Sequence, residues 1–332
     1  MELDVTVVRR WCAAIGVLVL LAVAGCDSSA PKSSEPFVIG FSAWPGWFPW
    51  QVAAEQKLFD KHGVTVEMRY YDNYTDSLKA LVDGEIDANS QTLNDTLVSV
   101  GSGARQTIVL VNDNSTGNDK IIARSGIGSV ADLKGKRVAV EQGTVDHYLL
   151  LLALAEAGLT AKDITLMPMA TDKAAEAFAA GQVDAAGVFA PFTTTALARR
   201  GSRAIATSAE FPGAIPDHLA VRSELVTRRA GDVRAIVDTW FETLRWMRDN
   251  EAAADTILAR RAGVDVGAYR SYDAGTTLFT RQQNVDAFTP GTTPAHLNYQ
   301  AARICDFMVE TGLVDERPSL DGLLDGSFVG AA

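Results

Sequence analysis

The chain has 332 residues, of which 47% are hydrophobic and 21% are charged, so it can bury a substantial core and form two domain-sized units. Its 30 basic and 41 acidic side chains give a formal net charge of −11. No basic cluster offsets this charge, which argues against nucleic acid as a partner and favours a cationic ligand over an anionic one.

The N-terminal region has the pattern of an export signal. Two arginines precede an apolar segment, residues 11–24, that is too short to span a membrane comfortably. Small residues and then Cys26 follow, an arrangement that resembles a bacterial lipoprotein signal, in which the cysteine is lipid-modified. We therefore predict a signal peptide at 1–25, a disordered polar tether at 26–36 and an extracytoplasmic location with a lipid anchor in the cell membrane. The alternative is an uncleaved signal anchor, and the arginine pair leaves both the general and the twin-arginine export routes open.

A single cysteine remains in the predicted mature chain. Cys12 leaves with the signal and Cys26 carries lipid, so Cys305 has no partner for an internal disulfide. Its apolar neighbours predict a place on a buried helix face rather than a role as a nucleophile.

The segment 37–50 contains the strongest signal for a site. The apolar, β-prone residues 37–41 predict a strand buried on both faces, and the loop that follows holds two prolines, a glycine and three tryptophans. Open α/β sheets bind ligands beyond the carboxyl ends of their strands, where this loop should lie. We expect Trp44, Trp47 and Trp50 to line a ligand site; the alternative is that they cap the core.

Strand and helix patterns then alternate as far as residue 111, which predicts a parallel sheet with helices on both faces. Thr92 is the predicted N-cap of one helix, with Asp95 three residues later. The predicted helices are 51–62, 75–82 and 92–100, and the predicted strands are 64–70, 86–89 and 106–111.

Two polar or irregular stretches, 112–119 and 211–217, are predicted to connect two lobes. Between them lies a second α/β alternation, with predicted strands at 137–140, 164–167, 183–188 and 205–207. From residue 223 the pattern is mostly helical. The predicted organisation is a first lobe at 37–120, a second lobe at 121–218 and a return to the first lobe at 219–332.

The strand-to-helix junctions of two such lobes should meet in a cleft. The five windows 43–50, 90–95, 141–147, 189–193 and 211–217 contain aromatic rings, hydroxyls and carboxylates but no Lys or Arg. Ring faces attract positive charge and carboxylates accept N–H donors, so these windows favour a small cation. The predicted ligand-binding residues are Trp44, Trp47, Trp50, Thr92, Asp95, Glu141, Thr144, Asp146, Phe189 and Asp217.

Other interpretations of these residues stay open. The N–H groups of the helices that begin near Thr92 and Thr144 could hold a sulfonate or nitrate, and a zwitterion such as taurine could use both features. Asp95 and Asp146 could merely favour a helix dipole, and Glu141 could pair with a neighbour. Asp217 follows a proline in a loop and has no such structural task.

Enzymatic signatures are weak. The chain has no GxSxG, P-loop, HExxH or CxxC motif, and a metal site formed by His147, Glu141 and Asp217 would lack paired histidine ligands. We therefore expect no metal, no cofactor and no enzymatic activity.

Across most of the predicted mature sequence, the chain resembles the extracytoplasmic substrate-binding proteins of ABC importers of the nitrate, sulfonate and taurine type. This resemblance implies an α/β, two-lobe fold of the periplasmic-binding-protein type II, a small-molecule ligand, and permease and ATPase subunits as partners. It also places Asp217 where taurine binders of this group have an amine-binding aspartate. The matching segments are 39–50, 78–95, 129–140, 143–154, 181–192 and 215–221.

A closer similarity is to the subgroup associated with urea carboxylase. It rests on the G-W-x-P-W loop at 46–50, the Gly-Asn-Asp at 117–119 and the [ST]-V-x-H-Y helix start at 144–148, whereas residues 91–94 depart from the pattern. This similarity implies guanidine or a related nitrogen compound as the ligand, so we favour a guanidinium-like or amine-bearing cation. The alternatives are taurine, an alkanesulfonate or nitrate and, in a different class, an enzyme acting on a pyrimidine precursor.

Overall fold

Two β-sheets organise the computed structural model, which describes residues 35–330. The predicted signal peptide, the lipid attachment at Cys26 and tether residues 26–34 lie outside the described residues. In chain order the strands are β1 (Phe37–Phe41), β2 (Val66–Tyr70), β3 (Ala88–Thr92), β4 (Gln106–Ser115), β5 (Asp119–Ala123), β6 (Arg137–Val140), β7 (Thr165–Pro168), β8 (Ala185–Phe189), β9 (Arg203–Thr207), β10 (Pro216–Arg222) and β11 (Thr276–Leu278).

The helices surround these sheets, and none of them within residues 35–330 is long and apolar enough to cross a bilayer. They are α1 (Pro49–Glu55), α2 (Leu58–Lys61), α3 (Tyr74–Val82), α4 (Leu93–Gly101), α5 (Val145–Glu156), α6 (Thr171–Ala179), α7 (Phe192–Leu197), α8 (Ser223–Arg228), α9 (Ala230–Asp249), α10 (Glu251–Ala262), α11 (Val266–Arg270), α12 (Arg281–Phe288) and α13 (Leu297–Thr311).

The first sheet has the order β11-β4-β10-β3-β1-β2, and the second has the order β7-β6-β8-β5-β9. We call the parts built on them the first and second lobes. The prediction of a fully parallel first sheet is wrong, because β10 lies antiparallel between β3 and β4. β10 arrives from a distant part of the chain, so local periodicity could not reveal this insertion.

The lobe boundaries also differ from the prediction. β4 continues through the polar residues to Ser115, so the first connection between the sheets shortens to residues 116–118. Strand β10 places Pro216, Asp217 and His218 in the first sheet, although they were predicted to belong to the second lobe. Pro216, Asp217 and His218 are not hydrophobic, so their sequence does not indicate a strand. They form one because they pair with the neighbouring strands β3 and β4.

Several local predictions agree with the structure. Strands β1 and β6 have the predicted bounds, and Thr92 caps α4 by accepting a hydrogen bond from the Asp95 backbone N–H at 3.4 Å. Cys305 is fully buried on α13. These features depend on neighbours in sequence, where periodicity and capping preferences are informative.

Trp50 lies in the core of the first lobe and not at a ligand site, contrary to the sequence-based expectation. Its ring is fully buried, with its centroid 4.6 Å from that of Trp240 and 6.1 Å from that of Phe59. The indole Nε1 donates to Ser90 Oγ at 2.9 Å. The side chain is therefore satisfied by packing and by an internal hydrogen bond.

We predict that Trp50→Ala lowers the free energy of unfolding by about 3–5 kcal/mol, because it removes a fully buried aromatic ring and leaves a cavity. Urea denaturation followed by circular dichroism measures the change. The control is Val82→Ala on α3, where the side chain is 51% exposed and the expected change is within about 0.5 kcal/mol. Equal stability of the two variants would contradict the core assignment.

Candidate ligand site

An enclosed cavity lies between the two lobes. Its volume is about 10 Å³, roughly the space that one water molecule requires. Side chains of both lobes form its wall, so it is shaped by their closure. The lining residues are Trp44, Trp47, Tyr74, Thr92, Asp119, Val145, Phe189, Ile215 and Asp217.

Aromatic rings from both lobes meet around this cavity. Trp44 and Tyr74 of the first lobe each contact Phe189 of the second lobe edge-on, with centroids 6.2 Å apart in both pairs. The Trp47 ring lies 5.4 Å from that of Tyr74, centroid to centroid. Trp47 Nε1 is buried and has no hydrogen-bond acceptor within residues 35–330. The cavity thus presents ring faces and an unpaired N–H group.

The tryptophan loop is fixed by a carboxylate that the sequence analysis did not select. Trp44 Nε1 donates to Asp113 Oδ1 at 2.9 Å. A Cβ atom added at Gly46 would lie 2.0 Å from Asp113 Oδ2, so no side chain fits at this position. On the other side of the loop, Tyr269 OH donates to the Pro45 carbonyl oxygen at 3.3 Å. These contacts set the positions of both indoles on the cavity wall.

Asp217 is a buried carboxylate on the cavity wall that has no hydrogen-bond donor among the described residues. It is 1% exposed, and neither of its carboxylate oxygens has a hydrogen-bond donor in the described part of the chain. It pairs across the strands with Asp113. Burial, together with the neighbouring charge of Asp113, raises the pKa of Asp217 well above its ordinary value.

Two further acids surround this position. Burial raises the pKa of Asp113 to about 8 and that of Asp119 to about 6. Asp119 Oδ2, on the cavity wall, also lacks a donor within the described residues. Lys120 is beside Asp119 but directs its Nζ to the Gly117 carbonyl oxygen. No Lys or Arg is among the residues that line the cavity.

Asp95 lies just behind the cavity wall, next to the N-termini of α4 and α5. These are the helix N-termini that could have bound an anionic ligand. Its carboxylate accepts from Thr92 Oγ1 at 2.7 Å and from Asn94 Nδ2 at 2.8 Å. The Val145 backbone N–H at the start of α5 is close enough to lower the pKa of Asp95. The Thr92 backbone N–H donates to Tyr74 OH at 3.0 Å. Burial raises the pKa of Asp95 to about 7.

Glu141, Thr144 and Asp146 do not line the cavity. Glu141 Oε1 accepts from Thr75 Oγ1 of the first lobe, so this side chain bridges the two lobes. The Thr171 hydroxyl lies 2.7 Å from both Glu141 Oε2 and Asp146 Oδ2, and burial raises the pKa of Asp146 well above its ordinary value. Thr144 Oγ1 donates to the Glu141 carbonyl oxygen at 2.8 Å.

Five of the nine wall residues were predicted from the sequence, namely Trp44, Trp47, Thr92, Phe189 and Asp217. The other four wall residues, Tyr74, Asp119, Val145 and Ile215, were not predicted, and neither was Asp113 behind the wall. Asp119 ends the Gly-Asn-Asp motif that the resemblance had marked, so a signal for it existed. Within residues 35–330, no group of three His, Cys, Asp or Glu side chains could hold a metal ion.

A larger groove of about 550 Å³ lies on the first lobe behind the tryptophan loop. It is open to solvent, and Arg281 on its wall is already paired with Asp238 at 2.5 Å. The cleft cavity is smaller, but it is enclosed and holds buried polar groups without partners. These groups make it the better candidate for a small polar ligand.

Comparison with known proteins agrees with this architecture. A protein of Brucella abortus (strain 2308), provisionally named a binding protein, is 29% identical over 251 residues, which cover 74% of this chain and 77% of that protein. The taurine-binding periplasmic protein of Escherichia coli (strain K12) is 25% identical over 254 residues, with coverages of 73% and 78%.

The alkanesulfonate-binding protein from Xanthomonas axonopodis pv. citri, solved with MOPS bound, superposes with a TM-score of 0.75 at 22% identity. It covers 89% of this chain and 100% of its own. This likeness confirms the predicted α/β, two-lobe fold of periplasmic solute-binding proteins. Residues 30–260 match the sequence profile of the NMT1-like family. Since this match spans more than half of the sequence, the chain belongs to the NMT1-like family.

Proposed function

We propose that this protein is the solute-binding component of an ABC importer and that it captures a small cation with several N–H donors, such as guanidinium or an amine. It would deliver this ligand unchanged to permease and ATPase subunits. The observation that carries the proposal is Asp217, which is 1% exposed, lines the cavity and has two carboxylate oxygens without a donor in residues 35–330. A cation with paired N–H groups satisfies both oxygens.

The binding role is supported by the relatives, which are named as binding proteins, including one for taurine. The choice of a cation rests on the cavity itself. Asp113 and Asp119 flank Asp217, so an anion would enter a site already rich in carboxylates. The rings of Trp44, Trp47 and Phe189 add faces that attract positive charge.

Anionic ligands are the second candidate because the names of the relatives include taurine and sulfonate binders. Taurine could place its ammonium group on Asp217. Its sulfonate would then need donors, yet the Thr92 backbone N–H already donates to Tyr74 OH and the Asp95 carboxyl group lies near the Val145 N–H at the start of α5. Trp47 Nε1 is the side-chain donor that stays unpaired on the described wall.

An enzyme of pyrimidine-precursor chemistry is the candidate from another class. The described cavity wall offers neither a lysine nor a cysteine as a nucleophile, and Cys305 is buried in α13. Binding without reaction therefore fits the groups on the wall better.

The small cavity and the contacts across it suggest how binding and closure are coupled. Phe189 of the second lobe touches Trp44 and Tyr74 of the first, and Glu141 reaches Thr75 across the cleft. A ligand that contacts both lobes stabilises the closed form relative to the open one by its differential affinity.

We predict that isothermal titration at pH 8 detects guanidinium binding, because the cavity offers unpaired carboxylate oxygens and ring faces. The panel includes methylammonium, taurine, nitrate, methanesulfonate and orotate. Heat with the sulfonates or nitrate alone, and none with a cation or zwitterion, would overturn the cation proposal. Conversion of a pyrimidine by ligand-stripped protein would favour the enzyme class instead.

We predict that Asp217→Asn weakens cation binding by about 1.5–3 kcal/mol, since one charge-assisted contact in a desolvated site is lost. This corresponds to a Kd increase of roughly 10- to 150-fold, measured by the same titration. The control is Asp315→Asn at an exposed position, which should bind like the original chain. An unchanged Kd for Asp217→Asn would remove this carboxylate from the site.

We also propose that Cys26 anchors the protein to the cell membrane through lipid. The predicted outcome is that Cys26→Ser moves the chain from the membrane fraction to the soluble extracytoplasmic fraction or leaves it as an unprocessed precursor. Fractionation with immunoblotting, and mass spectrometry of the mature N-terminus, measure this. A mature membrane-bound Cys26→Ser protein of unchanged mass would contradict the anchor.

A further inference from the structure

We propose that a proton and the cationic ligand compete for the carboxyl pair Asp113–Asp217, so that capture of the ligand releases a proton. This inference rests on the proposed function and concerns the regulation of the same site. It assigns a role to Asp113, which does not line the cavity but holds the loop that does.

The pair is formed by the pairing of two strands. Asp113 on β4 and Asp217 on β10 are register partners in the antiparallel ladder, and they are 0% and 1% exposed. Trp44 Nε1 donates to Asp113 Oδ1, whereas Asp113 Oδ2 and both oxygens of Asp217 receive no donor from any other described residue. The two carboxyl groups are close enough to hydrogen-bond to each other, which requires a proton between them.

The groups around the pair do not supply a compensating positive charge. Asp119 faces it from β5 and Asp95 from α4, and both carboxylates disfavour ionisation of Asp217. Tyr74 on α3 and Tyr269 on α11 are neutral phenols whose pKa values burial raises.

Two potentially basic neighbours are also accounted for. His218, next along β10, contacts Thr96 Oγ1 at 2.8 Å, and burial lowers its pKa to about 3, so it is neutral. Lys120 is beside Asp119, and its Nζ donates to the Gly117 carbonyl oxygen. Ionising the pair inside the closed cleft therefore leaves negative charge that none of its described neighbours neutralises.

Either a proton or a bound cation can neutralise the negative charge of the buried carboxyl pair. Without ligand, both carboxyl groups of the pair are protonated in the closed site, the O–H of one donates to the other, and the pair is neutral. When the cation enters, the O–H bond of one carboxyl group breaks, the proton passes to solvent, and ligand N–H groups donate to the resulting carboxylate. The charge of the pair and ligand together remains zero, so this exchange costs less than burying two uncompensated charges.

The direction of the pH effect follows from this exchange. Burial raises the pKa of Asp113 to about 8 and that of Asp217 well above its ordinary value. Below these values the protonated pair predominates and the ligand must displace a proton, so apparent affinity falls as the pH falls. The limit is a tenfold change per pH unit for each proton displaced.

The test is isothermal titration with guanidinium chloride between pH 8 and pH 5.5. Guanidinium keeps its charge throughout this range, so the pH acts on the protein alone. We expect Kd to rise at least tenfold from pH 8 to pH 6. At pH 7, the observed heat should differ between phosphate and Tris buffers in proportion to the release of about one proton.

The variant Asp113→Asn tests the role of the pair by removing one of its two carboxyl groups. An asparagine retains an oxygen that can accept from Trp44 Nε1, but it removes the neighbouring charge and the shared proton. The decline of affinity should move to lower pH by at least one unit, and the buffer dependence at pH 7 should diminish. Asp315→Asn serves as the matched control and should keep the original pH profile.

The outcomes separate this inference from the function on which it rests. Guanidinium binding with a constant Kd across the pH range and no buffer dependence overturns the proton exchange but leaves the binding function intact. An Asp113→Asn profile identical to that of the original chain overturns the role of the pair. Absence of binding of every cation at pH 8 overturns both. If the variant fails to fold, the buffer dependence of the original chain decides the matter alone.

Discussion

The contact between Asp113 and the tryptophan loop is the constraint on which the site depends. Asp113 accepts the indole N–H of Trp44 and fills the space that any side chain at position 46 would need. With Asp113 in place, the loop therefore requires glycine at position 46, and a side-chain oxygen at position 113 supplies the acceptor for the Trp44 indole. Because Asp113 is also the cross-strand neighbour of Asp217, the same residue fixes the aromatic wall and sets the electrostatics of the carboxylate on it.

Several acids are buried near one cavity whose described wall contains no Lys or Arg, and this burial of acids destabilises the folded protein. An isolated buried carboxylate either gains a partner or remains protonated. Here burial raises the pKa of Asp95 to about 7 and that of Asp119 to about 6, the same direction as in the Asp113–Asp217 pair. Such a site is poorly satisfied when it is closed and its acids are ionised, and the cation proposed above would remove this deficit. Binding and closure can thus share one source of free energy.

Two carboxylates, one from each lobe, also contact the opposite lobe. Asp95 of the first lobe meets the Val145 N–H at the start of α5, and Glu141 of the second lobe meets Thr75 in the first turn of α3. Each acid thus lies at the N-terminus of a helix in the opposite lobe, where the helix dipole favours negative charge. These contacts form only when the lobes are closed, so they contribute to closure without touching the ligand.

The fold and part of the site could be predicted because both follow from local patterns. A run of apolar, β-prone residues located β1, the alternation of strand and helix patterns located β6, capping preference located the start of α4, and the proline-rich loop identified Trp44 and Trp47. The insertion of β10 could not be predicted in this way, because its partners β3 and β4 are distant in sequence. Because the insertion was not predicted, the pairing of Asp113 with Asp217 was not predicted either. The sequence also provided no means of telling Trp50 in the core from Trp44 and Trp47 on the cavity wall. The spacing of the three indoles is uniform, but only Trp50 enters α1 and turns toward Trp240.

The same insertion explains why family membership alone does not fix the ligand. A helix N-terminus can hold an anionic group of a ligand, and α5 begins beside the cavity. In this chain Asp95 supplies a carboxylate to that helix start, so the position is occupied by the protein's own negative charge. Asp217, which β10 brings to the cavity, has no cationic partner within residues 35–330, and under the proposed function it is the group that selects the ligand. Specificity in such a site depends on which polar groups the protein has already satisfied internally, and the carboxyl group of Asp217 is one that the described residues leave unsatisfied.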